Sequence, residues 1–305
     1  MHETSRLHTH IRRLTPIAIA AMAVALAPGL TGLASEPNQN TARALKVFIS
    51  VDMEGLAGVA TSTDVNATGR DYEHFRKIMA AETNAAIEGA SRAGATEIVV
   101  RDSHGGKTNL LPGDLSPLAQ LIRGASTGPK NMMEGIDATF AAAIFIGYHA
   151  KAGTPNAVLA HTSNGNVVDL SINGVSLPEA GYNALVAGLY DVPVVFVAGD
   201  RAFVEQARGL LGPVEAVATK TEIGGGGISG LSPAEAQRQI RDGVARALSN
   251  RTKIKPYKLT APYTMVLKVK VDKPLYGNAV RPRPGESVFE HTDLLEILNA
   301  FNAMK

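Results

Sequence analysis

Cysteine is absent from the 305 residues, which excludes disulfides, thiolate metal ligands, a cysteine nucleophile and a lipidated cysteine anchor. Tryptophan is absent too, and aromatic residues make up only 5% of the chain. Charge of one sign is scarce. The whole chain stands at +2, and its first 35 residues carry three Arg against one Glu, so the remainder is close to neutral. Without a basic stripe interleaved with aromatic rings, nucleic acid is not an expected partner. No long apolar run follows residue 35, so a soluble body with no stable membrane span is expected. Gly224 to Gly227 has no Gly-Lys-Ser/Thr after it, which excludes a phosphate cradle and leaves a flexible surface loop or active-site flap.

What is present is enough chain for one large α/β domain, or a large one plus a small one, with 45% hydrophobic residues and 30 glycines. Residues 1–35 read as an export signal. Arg6, Arg12 and Arg13 form a basic head, Ile17 to Ala27 is a short apolar run ended by Pro28-Gly29, and small residues around Gly32 to Ser35 offer a cleavage site. The mature protein is therefore expected to be exported, periplasmic or secreted, after cleavage of the signal peptide. Residues 36–44 form a polar linker.

From Leu45 onward the pattern alternates strand and helix. Leu45 to Val51 reads as a strand buried on both faces, and Glu97 to Arg101, Ala141 to Gly147, Val192 to Ala198 and Val214 to Thr219 read as further strands. Helices are expected at Tyr72 to Arg92, Glu179 to Leu189, Ala202 to Leu211 and, behind the Ser232-Pro233-Ala234-Glu235 capping box, to about Leu248. Shorter strands are expected at Leu118 to Ile122, Ala157 to Thr162, Val167 to Ile172 and Thr264 to Val271. Asn173-Gly174 marks a hairpin, and Thr292 is read as the cap of a closing helix. The fold class is α/β: a mostly parallel sheet flanked by helices, with an antiparallel hairpin insertion and a smaller C-terminal α+β part. Residues 45–200 would form the metal-binding domain and 201–305 the part that completes the fold.

The chain is organised around Ser50-Val51-Asp52-Met53-Glu54-Gly55. Residues two apart on an extended strand point the same way, so Asp52 and Glu54 lie side by side at a buried strand end, where they repel unless a cation sits between them. A lone Asp-x-Glu is also the composition of an ordinary acidic turn. His104 and His149, however, each close another apolar strand, and in open α/β sheets ligands bind beyond the carboxyl ends of the strands. Glu179, at the start of a helix, can add a further carboxylate. Nitrogen and oxygen donors without sulfur suit zinc and, less exclusively, manganese or iron, in a one-metal or carboxylate-bridged two-metal site. His161 is read as a proton donor or a stabiliser of a tetrahedral intermediate. His74 and His291 read as surface residues, and Asp102 as a structural acid. The residues alone leave three readings: a metal-dependent peptidase, another metal-dependent amide or glycoside hydrolase, and a solute-binding protein without chemistry.

Ser50–Gly55, Asp102-Ser103-His104, Gly147-Tyr148-His149-Ala150 and Glu179-Ala180-Gly181-Tyr182-Asn183-Ala184 closely resemble the DppA-type zinc D-aminopeptidase family. Met133-Glu134-Gly135, Tyr190 to Val194 and Ala198-Gly199-Asp200 resemble it as well. The resemblance runs from about Lys46 to the C-terminus. It implies two zinc ions per chain held by Asp52, Glu54, His104, His149 and Glu179, with Asp52 bridging and His161 as the additional active-site residue. It also implies hydrolysis by metal-activated water of short peptides with an N-terminal D-amino acid, such as D-Ala-D-Ala, in a homo-oligomer that forms a ring-like decamer. The export leader, Gly224 to Gly227 and Pro282 to Glu286 depart from the family pattern.

Overall fold

The computed structural model describes residues 45–305; the export signal and linker expected over residues 1–44 lie outside the described residues. The strands are β1 (Lys46–Val51), β2 (Glu97–Asp102), β3 (Ala119–Ile122), β4 (Ala142–Tyr148), β5 (Val167–Ile172), β6 (Val175–Ser176), β7 (Val194–Asp200), β8 (Glu215–Glu222), β9 (Ile228–Gly230), β10 (Tyr263–Val269), β11 (Val280–Arg283) and β12 (Glu286–His291). The helices are α1 (Ser62–Val65), α2 (Tyr72–Arg92), α3 (Glu179–Leu189), α4 (Arg201–Leu211), α5 (Pro233–Ser249) and α6 (Leu294–Met304).

Seven strands form one sheet in the order β3-β2-β1-β4-β7-β8-β9, parallel except for β9. Strands β1, β4 and β7 are apolar on both faces because both faces are covered. Val47, Ile49, Ile144 and Ile146 pack with Ile78, Met79, Ile240 and Val244 of α2 and α5. Phe48, Phe145 and Val197 pack on the other face with Leu185 of α3, Phe203 of α4 and Phe301 of α6. The second sheet is antiparallel, in the order β11-β12-β10-β5-β6. Its inner residues Leu170, Met265 and Phe289 join the α3/α6 core, so its outer face alternates toward solvent. The hairpin between β5 and β6 turns at Asn173-Gly174, both at positive φ, as a two-residue turn of this type requires. Among the described residues no helix is long and apolar enough to cross a membrane.

Two local expectations fail. Ala157 to Thr162 is not a strand. Asn156, Leu159 and Ser163 adopt positive φ (52°, 51° and 64°), which turns the chain repeatedly and leaves only an isolated bridge between Thr162 and Asn164. The cap of α6 is Asp293, one residue beyond Thr292, because its carboxylate accepts a hydrogen bond from Leu295 N at 2.8 Å. Strands β9, β11 and β12 had no counterpart in the sequence reading. The glycines of 224–227 form the turn between β8 and β9, held by Ile223 N donating to Gly227 O at 2.9 Å.

Candidate metal centre

Strand order reverses between β1 and β4: the chain first builds outward through β2 and β3, then resumes on the other side of β1. Val51 lies opposite both Asp102 and Ile146, so β1, β2 and β4 end at one level. The ladder continues past the strands, with Asp52 N donating to Ile146 O and Ser103 N donating to Val51 O, both at 2.8 Å. The turn that follows needs two glycines. A Cβ on Gly55 would lie 1.9 Å from Tyr148 O, and one on Gly147, at φ +71°, would lie 2.1 Å from Asp52 O. This packing delivers Asp52, Glu54, His104 and His149 to one crevice, and α3 adds Glu179 from its first turn.

Each histidine is oriented by a backbone carbonyl. His149 Nδ1 donates to Ala150 O (3.0 Å), His161 Nδ1 to Leu159 O (2.9 Å) and His104 Nε2 to Val65 O (2.9 Å). The other ring nitrogen of each is thereby aimed at carboxylates, as in histidine metal ligands. His104 Nδ1 is 3.1 Å from Asp52 Oδ1 and from Glu54 Oε2. His149 Nε2 is 3.6 Å from Asp52 Oδ2 and from Glu179 Oε1. His161 Nε2 is 3.7 Å from Glu179 Oε1 and 3.9 Å from Glu54 Oε1, and its ring stacks on His149 with centroids 4.0 Å apart. Ser163 N donates to Glu179 Oε1 (2.6 Å) and Met53 N to Asp52 Oδ1 (3.0 Å), which fixes those carboxylates.

These spacings suit a shared cation. Two donors on one tetrahedral zinc, with bonds of about 2.1 Å, lie about 3.4 Å apart. Three sets of donor atoms lie within 4.8 Å of one another: Asp52–Glu54–His104, Asp52–His149–Glu179 and Glu54–His149–His161. His149 Nε2 is buried without a hydrogen-bond partner, an orphan a metal ion would satisfy. Burial alone would lower His149, but Glu179, Glu54 and Asp52 push it up to about 10. His104 is likewise raised well above its ordinary value, the charges of Glu54 and Asp52 outweighing burial. Burial raises Glu54 and Glu179, yet the histidines facing them hold both carboxyls below the usual range. A donor set of nitrogen and oxygen, buried and preoriented, fits zinc.

The sequence profile of the M55 peptidases, described as D-aminopeptidases, matches residues 45–294. The chain belongs to the D-aminopeptidase family. It is 40% identical over 270 residues to a D-aminopeptidase of Bacillus subtilis (strain 168), covering 85% of this chain and 96% of the relative. Its fold superposes with a TM-score of 0.78 on a solved structure described as Zn-dependent D-aminopeptidase DppA from Bacillus subtilis, a self-compartmentalizing protease. The identity there is 35%, covering 85% of this chain and 96% of that one.

Within this D-aminopeptidase fold, all six residues singled out in the sequence meet around a cavity of about 330 Å³ or lie directly behind it. Asp102 stands outside the donor sets. It accepts from Asn109 Nδ2 (2.8 Å) and Leu110 N (2.7 Å) and so braces the loop that follows His104. His74 and His291 are exposed. Gly124 to Gly128 has the spelling Gly-x-Ser-x-Gly, but no helix follows it directly and Ser126 Oγ donates to Glu134 (2.7 Å), so it is no nucleophile elbow. The glycines of 224–227 do not line the cavity.

The sequence reading missed a buried support beneath Glu54. Lys220 of β8 donates to the carbonyls of Glu54 and Leu56, and Glu82 of α2 accepts from Ala57 N at 2.9 Å. Glu82 could have been noticed, because it falls on the apolar stripe of α2 between Ile78 and Ala86. Burial pushes Glu82 up to about 7, against the pull of Ala57 N and Lys220. A carboxyl raised in the fold stabilises it below the unfolded pKa of 4.5, and that contribution is lost as pH climbs through about 7. The stability of the wild type relative to Glu82→Gln is therefore expected to fall between pH 4.5 and about 7, by roughly 3 kcal/mol at most. Urea unfolding of both proteins across that window measures it, and a pH-independent difference contradicts it.

Proposed function

We propose that this protein is an exported, binuclear zinc aminopeptidase that removes the N-terminal D-residue of short peptides such as D-Ala-D-Ala. The observation that carries the reading is the sharing of Asp52 between two triads, Asp52–Glu54–His104 and Asp52–His149–Glu179. Each triad would hold one zinc ion, with Asp52 common to both. Zinc, when bound, supplies a Lewis acid for the scissile carbonyl and makes water nucleophilic at neutral pH.

The chain's own groups do the remaining work. His161 is held by Leu159 O so that Nε2 faces the cavity, where it takes a proton from the attacking water and returns it to the leaving amine. Its stacking on His149 and partial exposure keep it oriented yet accessible to substrate. The zinc dependence and self-compartmentalization of the Bacillus subtilis structure support zinc here and a homo-oligomer, which the sequence resemblance extends to a decamer. The basic and apolar leader of residues 1–35 supports export.

Paired D- and L-alanyl dipeptides test the reading. Chelator-treated protein is expected to lose about 10³-fold or more of its D-dipeptide hydrolysis, several kcal/mol of transition-state stabilisation, and to regain it with zinc. The L-pair is expected to be the slower substrate throughout. Activity that survives complete metal stripping, or equal turnover of both pairs, overturns it.

A further inference from the structure

The cavity wall that bears the metal donors is acidic; two lysines line the same cavity. Lys107 follows His104 in the loop after β2, and Lys305 directly follows α6. We infer that Lys107 and Lys305 form a cationic subsite for the C-terminal carboxylate of the substrate, which makes the protein selective for short peptides that end in a free acid. This inference rests on the aminopeptidase reading above and names its substrate class more closely.

Three observations carry it. First, neither ammonium has an anionic partner among the described residues. Lys107 Nζ donates to the neutral carbonyl of Ser103, and Lys305 Nζ donates to Asn302 Oδ1 at 2.8 Å while lying over the Phe301 ring. Cations in a confined, partly desolvated space call for an anion between them. Second, the charge balance of the loaded site is positive. Two divalent ions would be balanced by Asp52, Glu54, Glu179 and the hydroxide formed from the activated water, so the two lysines carry the surplus positive charge of the cavity. The carboxylates nearest the lysines, Asp52, Glu179 and Asp102 for Lys107 and Glu179 for Lys305, are shared with the metal donors or with the loop after His104.

Third, Lys107 is held in a conformation that side-chain-bearing residues seldom adopt. Its φ is 62°, pinned by Lys107 N donating to His104 O (2.8 Å) and by Gly124 N donating to Lys107 O (2.6 Å). Such a conformation persists where its surroundings fix it, and here it holds a residue whose side chain lines the cavity with its ammonium on Ser103 O. A cavity of about 330 Å³ is at the small end of ligand pockets, so a substrate whose amino end lies at the metals places its carboxyl end within the same enclosure.

The experiment compares D-Ala-D-Ala with D-Ala-D-Ala amide, using zinc-loaded full-length wild type, Lys107→Met, Lys305→Met and the corresponding arginine variants. Wild type is expected to prefer the free acid in kcat/KM by about 10-fold or more, mainly through KM, as a charge-assisted hydrogen bond implies. Each methionine variant is expected to lose most of that preference, and each arginine variant to keep more of it. Zinc content measured on the same preparations distinguishes a lost subsite from a lost metal centre. The wild-type comparison needs no variant, so a variant that does not fold leaves the inference open to refutation. Equal hydrolysis of acid and amide by wild type overturns this inference alone. A preference that survives both methionine substitutions also overturns it, whereas wild type that hydrolyses neither compound refutes the aminopeptidase reading.

Discussion

Asp52→Ala is expected to remove zinc from both positions and to cut kcat/KM for a D-alanyl dipeptide by about 10³-fold or more. The reason is geometric. Asp52 Oδ1 faces His104 Nδ1 at 3.1 Å while its Oδ2 faces His149 Nε2 at 3.6 Å, so one carboxylate serves both triads. Glu179 belongs to one Asp52 triad and His104 to the other, so Glu179→Ala and His104→Ala are each expected to weaken one metal position more than the other. Asp52 also accepts a hydrogen bond from Met53 N, and its loss frees the turn that aims Glu54. Elemental analysis of zinc per chain, together with dipeptide kinetics, reads the outcome. An Asp52→Ala protein that retains two zinc ions per chain contradicts the assignment.

The second large effect is on stability. Lys220→Met is expected to destabilise the protein by about 3–5 kcal/mol, because two buried carbonyls lose a charged donor at about 1.5–3 kcal/mol each. Lys220 is 1% exposed and its ammonium satisfies the carbonyls of Glu54 and Leu56; methionine leaves both carbonyls without a donor. Burial already brings Lys220 down to about 8, with the nearby acids Glu82, Asp200 and Glu54 acting to hold its charge. A fall in melting temperature of order 10 °C is expected for a chain of this size. Adding Glu82→Gln to Lys220→Met is expected to recover part of the loss only above about pH 7, because without the pull of Lys220 burial keeps the Glu82 carboxyl protonated below that. Because the same lysine holds the turn that carries Glu54, zinc affinity is expected to fall about 10- to 100-fold as well. Thermal unfolding and zinc titration of the three proteins check this, and an unchanged melting temperature contradicts it.

The parallel sheet was legible in the sequence because buried parallel strands are apolar on both faces, and Val47-Phe48-Ile49 and Ala143-Ile144-Phe145 announce themselves by that alone. The convergence of Asp52, His104 and His149 was legible for a related reason: each is a polar residue one or two positions past the end of its strand, and parallel strands end on one side. Ala157 to Thr162 was misread because apolar content reports burial and says nothing of φ. Val158 is indeed buried, but in a loop whose turns lie at Asn156, Leu159 and Ser163. Lys107, Lys220 and Lys305 gave no sequence signal, since a lysine's default is solvent and only tertiary packing brings these three inward. Strands β11 and β12 flank Pro284-Gly285, which reads as a turn, and their short, charged segments carry little apolar alternation.

The central claim is that donors from β1, β2, β4 and α3 close around a pair of cations that share Asp52. Anomalous scattering at the zinc absorption edge, from crystals of the zinc-loaded protein, tests it most directly. Two peaks are predicted, one beside Glu54 and His104 and one beside His149 and Glu179, with Asp52 between them. A lone peak away from Asp52, or no zinc at these side chains, would contradict the account.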